Sequence, residues 1–503
     1  MQAIETSGAP DRSEKAEHRA REPACVESPV LWVDFDGAVL RADPLHEKLI
    51  LVVKARPLSV PGLLVAAMRG RAALHEAASR ETGDDFHLES CPRRPEVEAV
   101  VEDARRTGRS VVWSSREDLT GRAAGTDLAA LVHADADVHR RERSPELQAE
   151  TVGARFRDGY AYVGRSDADL PLWRAARERF GVDLSPALRR RAAAEGLGII
   201  ELSRRTPLSR AVVRSMRPHQ WLKNCLVFVP FALNVGQLHV RDLGVALLAF
   251  ACLCALTSGT YLVNDLFDLD ADRRHPRKRN RPIANGDLPI AWAVPISAAL
   301  IVVAIACACL LRYAFAAALG SYLVITLAYS FRLKKMAMVD VLVIAMLFTL
   351  RILAGMLLVS EKPSHWLLMF SIFFFLSLAF MKREVEFNVM RQAGRSTLSG
   401  RGYDLDDRLY VLCCGLSSGI ASVVIFALFT TATVERAPPT YATPELLWGV
   451  MGVLGYWVLR MWMLTTRGLM NDDPILFAAR DRTSILLGAA CAALAVGAQV
   501  LRL

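Results

Sequence analysis

The chain has 503 residues, 52% of them hydrophobic, with mean hydropathy +0.25 and a formal charge of +9. That length leaves room for several domains, and ten cysteines without a CxxC pair argue against a disulfide framework or a structural zinc site. The averages conceal two unlike halves. Residues 1–215 are charged and mixed, whereas from Trp221 onward apolar stretches of bilayer length follow one another.

The first 28 residues are polar and are expected to form a disordered tail with no apolar core for a secretion system, so the N-terminal half is expected in the cytoplasm. "SPVLWVDFDGAVLRAD" (Ser28–Asp43) then reads as a buried strand ending in Asp34, Asp36 and a glycine turn. Two carboxylates there can hold a metal or act as nucleophile and acid; the plain alternative is a strand closed by a capped turn. Residues 46–80 predict a helical insertion. Lys54, Arg56, Pro57 and Pro61 interrupt its apolar runs, which are too short to span and can lie on a membrane surface, pack against the spans or form a buried cap. "RSVVWSS" predicts a second strand ending in Ser114 and Ser115, and Gly159–Trp173 a third that ends in small and acidic residues. Strands alternating with helices predict a parallel sheet in an α/β domain, with functional loops at the strand C-termini.

Together these segments resemble the haloacid dehalogenase-type phosphatases across about 29–185. The resemblance implies a Rossmannoid fold, with Asp34 as phosphoryl-accepting nucleophile, Asp36 as general acid, and Ser114 or Ser115 holding phosphate. The departures are specific. Ala38 stands where the family has threonine, and no lysine occurs between Lys54 and Lys223. The third motif reads Gly164-Arg165-Ser166-Asp167-Ala168-Asp169, with arginine where a magnesium-binding carboxylate belongs, and that charge repels the cation. A catalytically degenerate domain over 29–200, serving regulation or scaffolding, is therefore expected.

In the second half, nine apolar stretches predict a transmembrane helical bundle: about 222–237, 243–263, 289–311, 313–331, 337–358, 365–381, 409–433, 446–464 and 484–501. With a cytoplasmic N-terminus, the inner connections hold 18 Lys and Arg, against five (Arg241, Arg312, Lys362, Arg436 and Arg502) in the opposite connections and the C-terminus. That asymmetry predicts a multi-pass protein of the cell (inner) membrane. After the second stretch comes "NDLFDLDAD". At roughly 100° per residue Asn264, Asp265, Asp268 and Asp272 share one helix face, and Asp270 falls elsewhere. Clustered carboxylates without His or Cys favour Mg²⁺, which also binds substrate phosphates. Arg217, Lys223, Lys278, Arg281, Lys334, Lys335, Lys382 and Arg383 are candidate phosphate ligands; the plain alternative is that such residues are topology anchors. Arg351, inside a span, is expected to face a cavity. His275 reads as a loop residue, Asp404, Asp406 and Asp407 as a solvated loop, and Asp472, Asp473 and Asp481 as helix-end residues.

N-D-x-x-D-x-x-x-D in this position is the signature of the UbiA superfamily of intramembrane prenyltransferases, which the chain resembles over about 208–503. Within it "RPHQWLKN", "KRNRPIANGDLP", "YSFRLKK" and "NDDPILFAARDRTS" look most like the decaprenyl-phosphate phosphoribosyltransferase branch. Quinone-type members carry a second D-x-x-x-D motif; Lys382, Arg383 and Glu386 stand there instead. The resemblance implies Mg²⁺-dependent transfer with a polyprenyl phosphate or pyrophosphate lipid and a phosphorylated small-molecule donor as partners, and no nucleic acid. Phosphoribosyl transfer to a polyprenyl phosphate is the expected chemistry, with prenyl transfer to an aromatic or other acceptor as the alternative. A transporter of an anionic lipid is a further reading, disfavoured because no internal repeat is visible and the charges sit at span ends.

Overall fold

The computed structural model describes residues 30–115, 131–132, 138–140, 145–156, 159–233, 239–360, 363–392, 402–434, 441–470 and 473–500. The expected disordered tail, 1–28, and Asp472 lie outside the described residues. The chain divides into two compact units, Met1–Thr206 with Asn285–Asp287, and Pro207–Ala284 with Leu288–Leu503.

In the first unit β1 (Val30–Asp34) is buried throughout, so a continuous apolar run rather than an alternating one fits it. Four helices follow: α1 (Pro44–Ala55), α2 (Val60–Met68), α3 (Arg71–Thr82) and α4 (Pro95–Arg106). Then come β2 (Ser110–Ser115), β3 (Val138–Arg140), α5 (Pro145–Arg155), β4 (Ala161–Gly164), α6 (Leu170–Ala175), β5 (Glu178–Val182), α7 (Pro186–Ala194) and β6 (Ile200–Ser203). The sheet order is β3-β2-β1-β4-β5-β6, with every pair parallel. Chain order therefore reverses beside β1, which puts the topological switch point, where open α/β sheets bind ligands, at the ends of β1 and β4. Register pairs Asp34 with Ser114 and Val33 with Val163, so the three strand-end motifs share one edge. The short outer strands β5 and β6 were not legible: "ERFGV" opens on two charges and "IELS" is only partly buried.

The insertion is the three helices α1–α3, folded around Leu45, Val52, Leu63 and Ala78. Pro57 pushes Arg56 out of helical geometry (φ −137°, ψ 62°), and the segment Pro57–Met68 turns 118° away from α1.

The second unit contains α8 (Leu208–Met216), α9 (Val229–Ala232), α10 (Val240–Phe267), α11 (Leu269–Arg274), α12 (Ile290–Leu311), α13 (Tyr313–Phe331), α14 (Val339–Val359), α15 (His365–Gln392), α16 (Arg408–Val434), α17 (Leu446–Thr466), α18 (Pro474–Ala478) and α19 (Arg482–Val500). Among the described residues of this unit, eight helices are long and apolar enough to cross a membrane: α10, α12 to α17 and α19. The first of the nine expected stretches, about 222–237, is not among these eight. Its described part is a 3₁₀ segment, Pro218–Phe228, followed by the single turn of α9, and 234–238 lie outside the described residues. Two causes are visible. Lys223 and Asn224 are buried and bound to side chains rather than facing lipid. The Val227 carbonyl also lies so close to Gly355 of α14 that any side chain there would collide with it.

Candidate active site

At the strand tips Asp34 is buried and Asp36 Oδ1 accepts a 2.6 Å hydrogen bond from Ser115 Oγ. Ser115 thus bonds one expected catalytic carboxylate, while Ser114, in register with the other, Asp34, accepts through Oγ from Gln148 Nε2 at 3.0 Å. Asp169 is fully enclosed. Its Oδ2 accepts from the Arg165 and Ser166 N–H groups at 2.9 and 2.8 Å and from Ser166 Oγ at 3.0 Å, and its Oδ1 from the Tyr162 hydroxyl at 3.1 Å. Both oxygens are therefore engaged in closing the turn after β4.

Two further cations of this unit are buried. Lys48 Nζ donates to Ser79 Oγ at 3.0 Å within the insertion. Arg94 donates to the carbonyls of Gly37 and Ala38 (3.1 and 2.8 Å), to Leu40 O, and to Asp183 at 2.8 Å. Burial brings the Arg94 guanidinium down to about 10, against the pull of Asp183. Arg94 holds the loop after β1; the sequence offered no sign of it because its partners lie 54 to 89 positions away.

In the bundle the acidic segment lies where α10 gives way to α11. The one-face reading of Asn264, Asp265, Asp268 and Asp272 presumes an unbroken helix. Instead α10 stops at Phe267 and Asp268 caps it with φ −93°, ψ 11°, so the set divides. Asp265 and Asp272 are buried and share one cation: Arg281 Nη1 lies 3.1 Å from Asp265 Oδ1 and 2.5 Å from Asp272 Oδ2. Arg217 also donates to Asp265 Oδ1, from a backbone in the left-handed region (φ 54°) that a non-glycine residue adopts at a cost. Burial raises the Asp272 carboxyl above its ordinary range, and Arg281 opposes it. Asp268 faces Lys334, whose ammonium reaches both its oxygens at 2.9 Å.

A second cluster joins distant segments. Lys223 Nζ donates to Asp473 Oδ2 at 2.7 Å, and Lys382 Nζ lies 3.7 Å from the same atom. Asp473 also caps α18 through the Ile475 N–H, so it is a helix-end residue, as its sequence suggests, and an ion-pair partner, which its sequence does not reveal. Burial pulls its carboxyl upward, but Lys223 and Lys382 outweigh that and hold it below the ordinary range.

The remaining candidates separate by surroundings. Arg383 is fully buried, with Nε 3.1 Å from Asp340, itself bound by the Tyr403 hydroxyl at 2.6 Å; it also pairs with Glu386. That places it in the packed interior of the bundle. Lys278 and Lys335 are exposed, and Asn264 is half-buried. In the basic run Arg273 holds the Ala284 carbonyl at 3.0 Å, while His275 Nδ1 accepts from the backbone of Arg277 as part of the loop. Arg351 donates to Asn224 Oδ1, the Leu347 carbonyl and the Tyr322 hydroxyl, so its charge is satisfied inside the bundle. A charge at mid-bilayer without such partners would cost about 2.5–3.5 kcal/mol.

Among the described residues no three His, Cys, Asp or Glu side chains converge closely enough to form a protein-only metal cage. The arrangement still suits Mg²⁺, which is commonly bound by one or two carboxylates together with substrate phosphates and water. Asp265 and Asp272 are hard oxygen donors that already share one cationic centre.

Residues 225–477 match the UbiA prenyltransferase family. The uncharacterized protein y4nM of Sinorhizobium fredii is 34% identical over 91% of this chain and 89% of its own length, a match that reaches into both units. The decaprenyl-phosphate phosphoribosyltransferase of Mycobacterium tuberculosis is 34% identical over 42% of this chain and 74% of its own. A solved UbiA homolog from Archaeoglobus fulgidus, bound to GPP and Mg²⁺, aligns with 57% of this chain and 99% of its own, at 17% identity and a TM-score of 0.45. By the family match and the full-length relative, this multi-pass membrane chain belongs to the UbiA prenyltransferase family.

Proposed function

We propose that the chain is a Mg²⁺-dependent transferase that moves a phosphoribosyl group from phosphoribosyl pyrophosphate to a polyprenyl phosphate and releases pyrophosphate. The observation that carries this reading is the gathering of five cations around four carboxylates in two clusters, the second of which has two ammonium groups on one carboxylate. Arg217, Arg281 and Lys334 meet Asp265, Asp268 and Asp272, and Lys223 and Lys382 meet Asp473. This reaction must hold a pyrophosphate, a 5-phosphate and a lipid phosphate, and such ammonium and guanidinium groups are suited to them. Prenyl transfer has fewer phosphates to hold, and the second acidic motif of quinone-type members is replaced here by Lys382, Arg383 and Glu386. The similarity to decaprenyl-phosphate phosphoribosyltransferase supports the same choice.

In this mechanism the C1–O bond to pyrophosphate breaks and its electron pair leaves with the pyrophosphate. The oxocarbenium-like C1 is captured by a lipid phosphate oxygen. That oxygen is already anionic, so no side chain has to remove a proton. Asp265 and Asp272, with Asp268 and Asn264 beside them, would hold Mg²⁺, whose chemistry when bound is to offset charge on the departing pyrophosphate. Arg217, Arg281 and Lys334 exchange their carboxylate partners for donor phosphates, and Lys223 and Lys382 hold a further phosphate. Lys278 and Lys335, at the exposed margin, attract the anionic donor. In this reading the chain lies in the cell membrane with its N-terminal unit in the cytoplasm, as the Lys and Arg asymmetry favours. The N-terminal unit serves regulation or scaffolding rather than phosphate hydrolysis, because Asp169 is taken up in closing its own turn and Arg165 stands where a magnesium-binding carboxylate belongs.

The test is one assay of purified protein with Mg²⁺. One mixture holds polyprenyl phosphate with phosphoribosyl pyrophosphate; the other holds a prenyl pyrophosphate with aromatic acids. Pyrophosphate release only in the first mixture is expected. Release only in the second would replace this chemistry with prenyl transfer.

A further inference from the structure

The insertion of the first unit turns its most apolar side chains outward. Pro57 to Met68, "PLSVPGLLVAAM", contains no charged residue. Leu63 points into the small core of the insertion and is 6% exposed, but Leu58 is 94%, Leu64 63% and Met68 85% exposed. Val53 and Val65 extend the same surface. Scattered exposed leucines are ordinary; a contiguous uncharged helix of them marks a contact surface.

We propose that α2 and the 3₁₀ turn before it lie in the interfacial layer of a lipid bilayer, making the insertion a monotopic membrane contact. Geometry excludes a crossing. The nine residues of α2 rise only about 14 Å at 1.5 Å each, against roughly 30 Å of hydrocarbon, and the 118° bend prevents α1 from extending it. Charge selects the occupant. The uncharged stretch is flanked by Lys54 and Arg56 on one side and Arg69 and Arg71 on the other, all exposed, and this cationic border complements anionic headgroups. Arg56 and Arg71 also tie the hairpin together by pairing with Asp85 and Asp43. Among its described residues the second unit carries eight helices of bilayer length, so a lipid surface accompanies every copy of the chain.

The experiment places a photo-crosslinking p-benzoylphenylalanine in the full-length protein at Leu64, at Met68, and at Glu76 as a control. Glu76 is an exposed position of α3. Each protein is reconstituted in vesicles of phosphatidylcholine with phosphatidylglycerol, illuminated and examined by mass spectrometry. Lipid adducts at Leu64 and Met68, several-fold above Glu76, are expected. Adducts to peptides of this chain or of a second copy would overturn the proposal in favour of a protein contact. Equal lipid labelling at Glu76, or no lipid adduct at Leu64 and Met68, would overturn it as well.

Discussion

At the strand tips Asp169 gives both oxygens to donors within its own turn and Tyr162, while in the bundle Asp265, Asp268 and Asp272 give theirs to Arg217, Arg281 and Lys334. Both regions are acidic and both sit where an element ends. The first set of bonds is made by backbone N–H groups and Ser166 of the turn and by Tyr162, a buried residue of β4, none of which can leave without disturbing the strand end. The second is made by long side chains that can swing to a phosphate. Acidic clusters that look alike in sequence thus differ in whether their partners can be exchanged, and the proposed site rests on the second kind.

The largest expected effect tests that contrast directly. Asp265→Asn or Asp268→Asn should lower pyrophosphate release by about 10³-fold, the scale on which lost transition-state charge stabilisation is felt. Asp36→Asn should leave it unchanged. Loss of transfer in Asp36→Asn would break the comparison, because the strand-tip site would then contribute to the same reaction.

A second measurement separates buried ion pairs from binding residues inside the bundle. Arg383→Ala strands the enclosed Asp340 and should cost about 3 kcal/mol, seen as a lower thermal midpoint in detergent. Lys335→Ala, on an exposed side chain, should change stability by less than about 0.5 kcal/mol. Equal midpoints would mean that Arg383 is not bound as the structure shows.

How much of this was legible follows from how local each signal is. The ends of β1, β2 and β4, the bilayer-length stretches from α10 onward and the acidic segment 264–272 are each written in one short run of consecutive residues, and local pattern finds them. The break at Asp268 was not legible, because its sequence suits either a straight or a bent helix. Nor was the close approach of the Val227 carbonyl to Gly355, 128 positions later in the chain. Pairings such as Lys223 with Asp473, 250 positions apart, exist only once the bundle is packed. Arg383 illustrates the same limit: its sequence neighbourhood suggests a phosphate ligand, and only Asp340 and Tyr403, brought in from elsewhere, make it structural.

A smaller effect sharpens the strand-tip side. Asp169→Ala should cost about 1–2 kcal/mol, in the range of a lost helix cap. The readout is faster hydrogen exchange across residues 161–175 of the full chain, with transfer activity retained. Unaltered exchange there would mean that the turn does not depend on Asp169.

The smallest effect concerns Asp473, whose exchangeable partners Lys223 and Lys382 place it with the bundle site rather than with Asp169. Its carboxyl is held below the ordinary range, so its contribution is present above the unfolded value and is lost only as pH falls through the lowered one. At neutral pH it is therefore fully charged and competes with phosphate for the two ammonium groups. Asn caps helices about as well as Asp, so Asp473→Asn preserves the bond to Ile475 while removing the charge. Binding of inorganic pyrophosphate, measured by calorimetry, should tighten about fivefold, as expected for roughly 1 kcal/mol of released ion pairing. The gain should shrink with added salt. If binding weakens instead, Asp473 orients the two lysines rather than competing for them, and it would then belong to the phosphate site as a positioning residue.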